Sequence, residues 1–466
     1  MNNRQSYQIN PGSFRDPSGF VFLNHDVIFR QVNMTYKENY DRLVTSGLYQ
    51  KLVNEGLLIS HEEVALEAPE PSIAYKIIRP KPIPFISYPY EWCFSQLKNA
   101  ALTTLKIQKI ALDFEMSLKD CTAYNIQFIN NQAVLIDTLS FEKYREGQPW
   151  IAYQQFCQHF LAPLALMSYT DIRLNQLLRI YLDGIPLDLA SSLLSMRSRY
   201  RLSLLTHIHL HAQSQKHYAD KPAAIKSTHK MPRLALLSLI DNLISAIQRL
   251  HWQPVGTEWA DYYQDTNYSE AGFEHKKQII VQFLDQINPS LVWDLGANRG
   301  IFSRLASIRG IKTISFDIDP SAVEKNYREI VSKAENHLLP LLLDIINPSP
   351  GIGWNNQERT SIIERGPADT CMALALIHHL AISNNLPLQK IAEFFAKICK
   401  TLIIEFVPKN DSQVQRLLAT RKDIFTYYQP SHFEEQFKKY FEIKQSIKII
   451  DSERTMYFME RREPEN

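Results

Sequence analysis

The second half of the chain alternates short, unbroken apolar runs with longer helical stretches. Residues 290–295 (SLVWDL) read as a short buried strand, followed by a glycine-bearing loop and a helix over 302–308 that Gly310 stops. A second strand is expected over 313–318. Asp319-Pro320 then opens a helix, with Asp319 as N-cap and Pro320 at the first helical position, where its missing N–H costs nothing. Further strands are expected over 339–345, 370–376 and 401–407, with a helix over 388–399 between the last two. Strands alternating with helices at this spacing imply an α/β fold, a parallel sheet covered on both faces. The end differs: 441–450, a polar turn at Asp451-Ser-Glu-Arg454, and 455–459 read as a hairpin, so the sheet should finish with an antiparallel pair.

Residues 1–210 instead mix short strands with apolar helices, the pattern of an α+β domain. From 211 to 233 (HAQSQKHYADKPAAIKSTHKMPR) the apolar content falls away and five Lys/Arg face one Asp, which reads as a linker. A helix over 234–250 follows, giving three expected parts: 1–210, 211–255 and 256–466.

Composition narrows the class. With 45% hydrophobic and 21% charged residues, the 466-residue chain is not disordered, and its net charge of +2 is too balanced for a general polyanion binder or a strong nucleic-acid signal. The five cysteines are dispersed, so a disulfide framework is not expected and a reducing, cytoplasmic setting is. No signal-type segment opens the chain, and the most apolar run, 234–247, carries Asp241 and Asn242, so no membrane span is expected.

In open α/β sheets, ligands bind outside the carboxyl ends of the strands. Asp294, Asp317 and Asp344 are expected at three such ends. After the first comes Gly296-Ala-Asn298-Arg-Gly300, in which the glycines permit a tight turn and Asn298 tolerates positive φ. A dinucleotide fingerprint would need glycine where Asn298 and Ile301 stand, which favours a ligand without phosphates, S-adenosylmethionine (SAM), over NAD. VWDLGANRG, SFDIDP, LLLDI, ADTCMALALIHHL and LIIEFV, with the terminal hairpin, resemble the successive motifs of a class I SAM-dependent methyltransferase over about 256–462. The resemblance implies a Rossmann-like sheet. In it Asp294, Gly296, Asn298 and Gly300 cradle the methionine part, Asp317 holds the ribose and Asp344 meets the adenine.

Methyl transfer asks mainly for alignment of nucleophile, methyl and sulfur, because the sulfonium is already activated. A base, where one is needed, has candidates in His378 and His379, expected after the fourth strand, and Glu405, expected at the end of the fifth. On a strand, adjacent histidines point to opposite faces, so only one could face the cleft; packing or capping is the competing role. Trp259, Tyr262, Tyr263 and Tyr268 form an aromatic cluster before the first strand, to cap a substrate or to pack.

The front half carries a second constellation. Asp120, Asn125 five residues on, and Asp137 twelve further, with Asn130-Asn131 turning a hairpin between them, resemble the catalytic and metal loops of protein kinases and aminoglycoside phosphotransferases. The resemblance implies Asp120 as base and Asn125 and Asp137 as the candidate Mg²⁺ ligands. Arg30 sits in the strand position of the kinase lysine, Glu38 in a helix over 36–54, and 85–93 reads as a strand running into a hinge. There is no glycine-rich phosphate loop, and an arginine does not simply replace that lysine. Asp120 and Asn125 have an alternative role as turn and cap residues.

The whole arrangement, including SYPYEW, LKDCTAYNIQF, IDTLSFE and PWIAYQQF, also resembles bacterial proteins related to the nodulation protein NoeA. His207, His209 and His211 alternate and would share a face for a metal on a strand, but their surroundings read as helix. The expected function is methyl transfer from SAM to an unidentified acceptor. The alternative is a bifunctional or ATP-regulated protein whose front half binds Mg-ATP.

Overall fold

The apolar runs of the C-terminal half pair side by side. In the computed structural model, which describes residues 7–211, 230–254, 268–419 and 422–463, they form seven strands: β10 (Leu291–Leu295), β11 (Lys312–Asp317), β12 (Leu338–Leu342), β13 (Ala368–Ala373), β14 (Cys399–Phe406), β15 (Phe441–Lys448) and β16 (Thr455–Arg461). The sheet order is β12-β11-β10-β13-β14-β16-β15. The first five strands run parallel and β16 pairs antiparallel with both β14 and β15. This is the Rossmann-like sheet with a terminal hairpin that the motifs imply. Asp319 caps helix Pro320–Lys333 by accepting from Ser321 N at 2.8 Å, as expected.

The order reverses at β10, with β11 on one side and β13 on the other. In open α/β sheets the carboxyl ends of the strands at such a reversal are where ligands bind. Beneath the reversal, Val292, Met372 and Ile403 pack with Ile280, Phe283 and Leu284 of helix Glu270–Ile287 in one apolar core.

The chain divides into two units, Met1–Gln253 with Ile352–Arg359, and Pro254–Gly351 with Thr360–Asn466. The first holds a five-stranded antiparallel sheet of β1 (Gln8–Ile9), β2 (Gly19–Asn24), β3 (Val27–Asn33), β4 (His61–Glu63) and β5 (Ala74–Pro80), in the order β1-β2-β3-β5-β4. The single helix expected over 36–54 is two, α1 (Lys37–Thr45) and α2 (Leu48–Asn54), because Gly47 takes φ 87° and breaks the hydrogen-bond ladder. The strand expected over 85–93 does not form. Pro82, Pro84 and Pro89 lack ladder donors, and the segment makes a 3₁₀ turn, Pro89–Glu91, leading into α3 (Phe94–Asp113). Two short pairs follow, β6 (Met116–Leu118) with β9 (Phe141–Lys143), and β7 (Ile126–Ile129) with β8 (Gln132–Leu135). Asn130 (φ 48°) and Asn131 (φ 61°) turn the second pair, as the sequence suggests.

Helix Arg233–Arg249, read from sequence as a connector, belongs to the first unit. Lys109 pairs with its Asp241 at 2.8 Å, and Arg233 with Asp113 at 2.8 Å. Linker residues 212–229 lie outside the described residues, as do Trp259, Tyr262 and Tyr263.

Candidate functional site

Asp294 is the fourth residue of β10 and Asp317 the last of β11. Leu295 pairs with Phe316, so the loop after β10 and the carboxylate of Asp317 meet at one height. Gly296 N and Ala297 N both donate to Phe316 O at 2.9 Å. The turn needs three positive φ values in five residues: Gly296 at 76°, Asn298 at 50° and Gly300 at 73°. Asn298 N donates to Asp317 Oδ2 at 2.7 Å and Asp319 N to Asp317 Oδ1 at 2.8 Å. Ile318 N also acts on this buried carboxylate, whose four lone-pair sites are then not all taken. Ser303 Oγ donates to Asp294 Oδ2 at 2.6 Å.

Burial penalises both carboxylates as ions, pushing Asp294 up to about 7 and Asp317 up to about 6, where backbone donors temper the effect. The third carboxylate departs from expectation. β12 stops at Leu342, and Asp344 is half-buried in the loop beyond, accepting from Ile346 N at 2.9 Å. It still follows the strand adjacent to β11, since Leu343 N donates to Asp317 O at 2.9 Å.

The two glycines serve different ends. A Cβ on Gly296 would stand 3.3 Å from Leu376 Cδ1, a side chain that can shift, whereas one on Gly300 would meet Asn326 Nδ2 at 2.6 Å. Gly300 makes room for the side chain of Asn326 on helix Pro320–Lys333, not for a ligand alone.

The candidate bases follow the fourth strand and close the fifth as expected, but in surroundings that do not suit a base. His378 and His379 are not on a strand: β13 ends at Ala373 and the histidines lie in a helical turn, their rings 4.1 Å apart. His378 is fully buried and, among the described residues, neither ring nitrogen has a hydrogen-bond partner. Burial, then His379, Arg454 and Lys276, hold its pKa well below the ordinary value; His379 is lowered to about 4 by burial and Arg454. Both imidazoles are neutral at pH 7. Glu405 lies inside β14, fully buried. Lys276 Nζ donates to its Oε2 at 2.6 Å, Ala375 N to the same oxygen at 2.8 Å, and the Tyr268 hydroxyl to Oε1. Arg454 NH1 reaches Glu405 Oε1 at 3.4 Å, while its Nε donates to Asp411 Oδ2 at 2.7 Å. Burial alone would raise the Glu405 carboxyl, but Lys276 and Arg454 outweigh it and hold it at about 2. So low a value makes it a structural counter-ion and a poor base.

In the first unit the phosphotransfer-like residues converge but close on one another. Asn125 Nδ2 donates to Asp120 Oδ2 at 3.1 Å and to Ser140 Oγ at 3.3 Å, and Ser140 Oγ donates to Asp137 Oδ2 at 2.9 Å. Arg30, on β3, forms an ion pair with Asp137 Oδ1, which also accepts from Leu139 N at 2.9 Å. Asp120, raised by burial and by Asp137, accepts from Thr122 N at 2.9 Å, the turn contact that was the alternative. Glu38 is exposed on α1, outside this network. His207, His209 and His211 are on a helical segment, which turns His209 away from the other two: His207 meets Tyr153 and Asn242, His211 packs on the same Tyr153 ring, and His209 meets Ser191 and Ser198. Among the described residues no three His, Cys, Asp or Glu side chains gather as a metal site.

No family model matches the chain. It is 36% identical over 460 residues to the nodulation protein NoeA of Rhizobium meliloti (strain 1021), spanning 97% of this chain and 96% of the relative. The chain belongs to the NoeA family. Among solved structures, this NoeA-family chain is similar to magnesium protoporphyrin IX methyltransferase (ChlM) from Synechocystis PCC 6803 with bound SAH, at 17% identity, 44% of this chain, 93% of the other and a TM-score of 0.31. It is also similar to the methyltransferase domain of bacterial CtHen1-C, at 15% identity, 41% of this chain, 98% of the other and 0.30. The bifunctional kinase-methyltransferase WbdD matches at 15% identity over 45% of this chain and 43% of the other, with a TM-score of 0.29.

Sequence reasoning about this NoeA-family chain missed Lys276, Asp411 and Arg454. A signal for Lys276 exists: Phe273, Lys276, Ile280, Phe283 and Ile287 follow the spacing of one helical face, so a lysine sits in an apolar stripe. Arg454 gave none, since the hairpin turn holding it reads as solvated, yet the guanidinium is fully buried.

Proposed function

We propose that the second unit transfers a methyl group from S-adenosylmethionine to an acceptor. The observation that carries this reading is the buried Asp317 carboxylate, which stands beside the Gly296–Gly300 turn at the reversal of strand order and takes backbone N–H groups without filling its acceptor capacity. A ribose hydroxyl would supply a further donor. Asp344 would accept from an adenine amino group, and Asp294, with the Gly296 and Asn298 backbone, would face the methionine part. Two buried carboxylates favour a positively charged ligand over a dinucleotide, whose pyrophosphate they would repel. When bound, the cofactor supplies the electrophilic methyl. The chain's own work is to bind, to orient and to exclude water; His378 and His379 stay neutral near the end of β13, and burial beside Arg454 opposes their taking up a proton, so they pack against the site and do not serve as its base.

Titration with SAM, and release of S-adenosylhomocysteine when the protein is incubated with cell-extract fractions, test binding and turnover together. Asp317→Ala should weaken SAM binding by about 1.5–3 kcal/mol, the value of hydrogen bonds to a charged acceptor. An unchanged Kd would remove the ribose from this carboxylate.

For the first unit we infer a protein-kinase-like arrangement, supported by the convergence of Asp120, Asn125 and Asp137, but not an active one. Arg30 and Ser140 occupy Asp137, and a guanidinium stands where Mg²⁺ would need to bind. Mg-ATP therefore has no ready site, and this speaks against the bifunctional alternative.

A further inference from the structure

The first unit carries a basic turn that neither methyl transfer nor the phosphotransfer-like network uses. Residues 189–211 contain three arginines and three histidines and no Asp or Glu. Two cavities, of about 550 and 720 Å³, share Tyr169, Tyr200 and Arg201. Both are of a size that holds small ligands. Arg249 and His251 line the first, Arg197 and Ser195 the second, and among the described residues no carboxylate lines either.

Among the described residues, Arg197, Arg201 and Arg249 make no ion pair, whereas Arg173 of the same unit is held by Asp171 at 2.7 Å. The negative pole that could compensate them, the carbonyl end of helix Arg233–Arg249, is already neutralised: Lys98 Nζ donates to Gln248 O at 2.9 Å and Leu250 O at 2.8 Å.

The turn is also built to hold its shape. Ser198 is fully buried; its Oγ donates to Ser195 O at 2.7 Å and lies 2.9 Å from His209 Nε2. His209 Nδ1 in turn lies 2.7 Å from Ser191 Oγ. With its hydroxyl already donating, Ser198 accepts from Nε2–H, and Nδ1 accepts from Ser191. This pins Arg197 and Arg201 on either side of a fixed point.

We propose that the joined cavities are a binding site for an organic phosphate, the phosphate held by Arg201 with Arg197 and Arg249, and its ring lying against Tyr169 and Tyr200. Arginine forks match phosphate oxygens, and tyrosine faces take a ring at little entropic cost. The proposal stands apart from methyl transfer, since every residue in it lies in the first unit.

The test is calorimetric titration of the full chain at low salt with two probes, inorganic pyrophosphate and phenyl phosphate. Arg201→Gln should weaken both by about tenfold, the loss of one charge-assisted contact. Tyr200→Ala should weaken phenyl phosphate alone, and Arg416→Gln, exposed in the other unit, should change neither. Arg201 and Tyr200 are exposed, so both variants should fold, which matched melting temperatures confirm. Absence of heat from both probes, equal losses in Arg416→Gln, or retention on phosphatidylglycerol vesicles without probe binding would each overturn the site.

Discussion

At Asp317 a single carboxylate does two jobs whose pH dependences oppose one another. Its two backbone donors fix the loop after β10, yet burial lifts its pKa to about 6, and that of Asp294 to about 7. The native state holds these protons more tightly than the unfolded chain, whose carboxyls titrate near pH 4. Their contribution to stability is therefore complete below about pH 4 and is lost as pH rises through about 6 to 7. Asp294→Asn removes one of the two, so the melting temperature of the ligand-free variant should fall less than the wild type's between pH 5 and pH 8. Ligand binding runs the other way. If ionised Asp317 takes the ribose, SAM affinity should be about tenfold weaker at pH 5 than at pH 7, because only about a tenth of the carboxyl is then ionised. A flat affinity profile would place the ribose elsewhere.

Across elements, the polar cluster on β14 ties helix Glu270–Ile287 to the terminal hairpin through two buried ion pairs, Lys276–Glu405 and Arg454–Asp411. A fully buried ion survives only when paired, and removing one partner strands the other. Glu405→Ala and Arg454→Ala should each cost about 3–5 kcal/mol, read from denaturant midpoints. The loop glycines should separate two effects. Gly300→Ala drives a Cβ into Asn326 and lowers stability, while Gly296→Ala, with only the movable Leu376 beside its Cβ, bears the strain of φ 76° alone and should lose less stability than Gly300→Ala and lose SAM binding as well. Comparable losses of stability and affinity in both would mean the loop is only a packing turn. Within these elements much was legible: the Asp319-Pro320 helix start and the Asn130-Asn131 turn depend on neighbours in sequence, and both formed as read. The helix over 36–54 was misread because a mid-pattern glycine can be tolerated or can break the ladder, and only the packing of α1 and α2 decides which.

For the molecule as a whole, the reading with least freedom is that Asp137 is shut by Arg30. Mg-ATP should give no rise in melting temperature with the full chain, and a rise appearing in Arg30→Ala would identify the guanidinium as the blocking group. The amino-acid sequence alone determined what short-range physics controls: the strand–helix alternation from β10 onward, the antiparallel finish, the positive-φ loop at 296–300 and the placing of Asp294 and Asp317 on β10 and β11, but not of Asp344, which falls in the loop beyond β12. The folded chain brought Asp120, Asn125 and Asp137 together. Only the tertiary structure decided whether each charged group meets solvent or a counter-ion. It buried Glu405 and Arg454 as partners, moved the two histidines onto a helical turn, and left Arg197, Arg201 and Arg249 without carboxylates among the described residues. The reason is physical: helix and turn preferences act over a few neighbouring residues, whereas the electrostatic environment of a side chain is set by groups more than a hundred positions away, as in the pairing of Lys276 with Glu405 or Arg30 with Asp137.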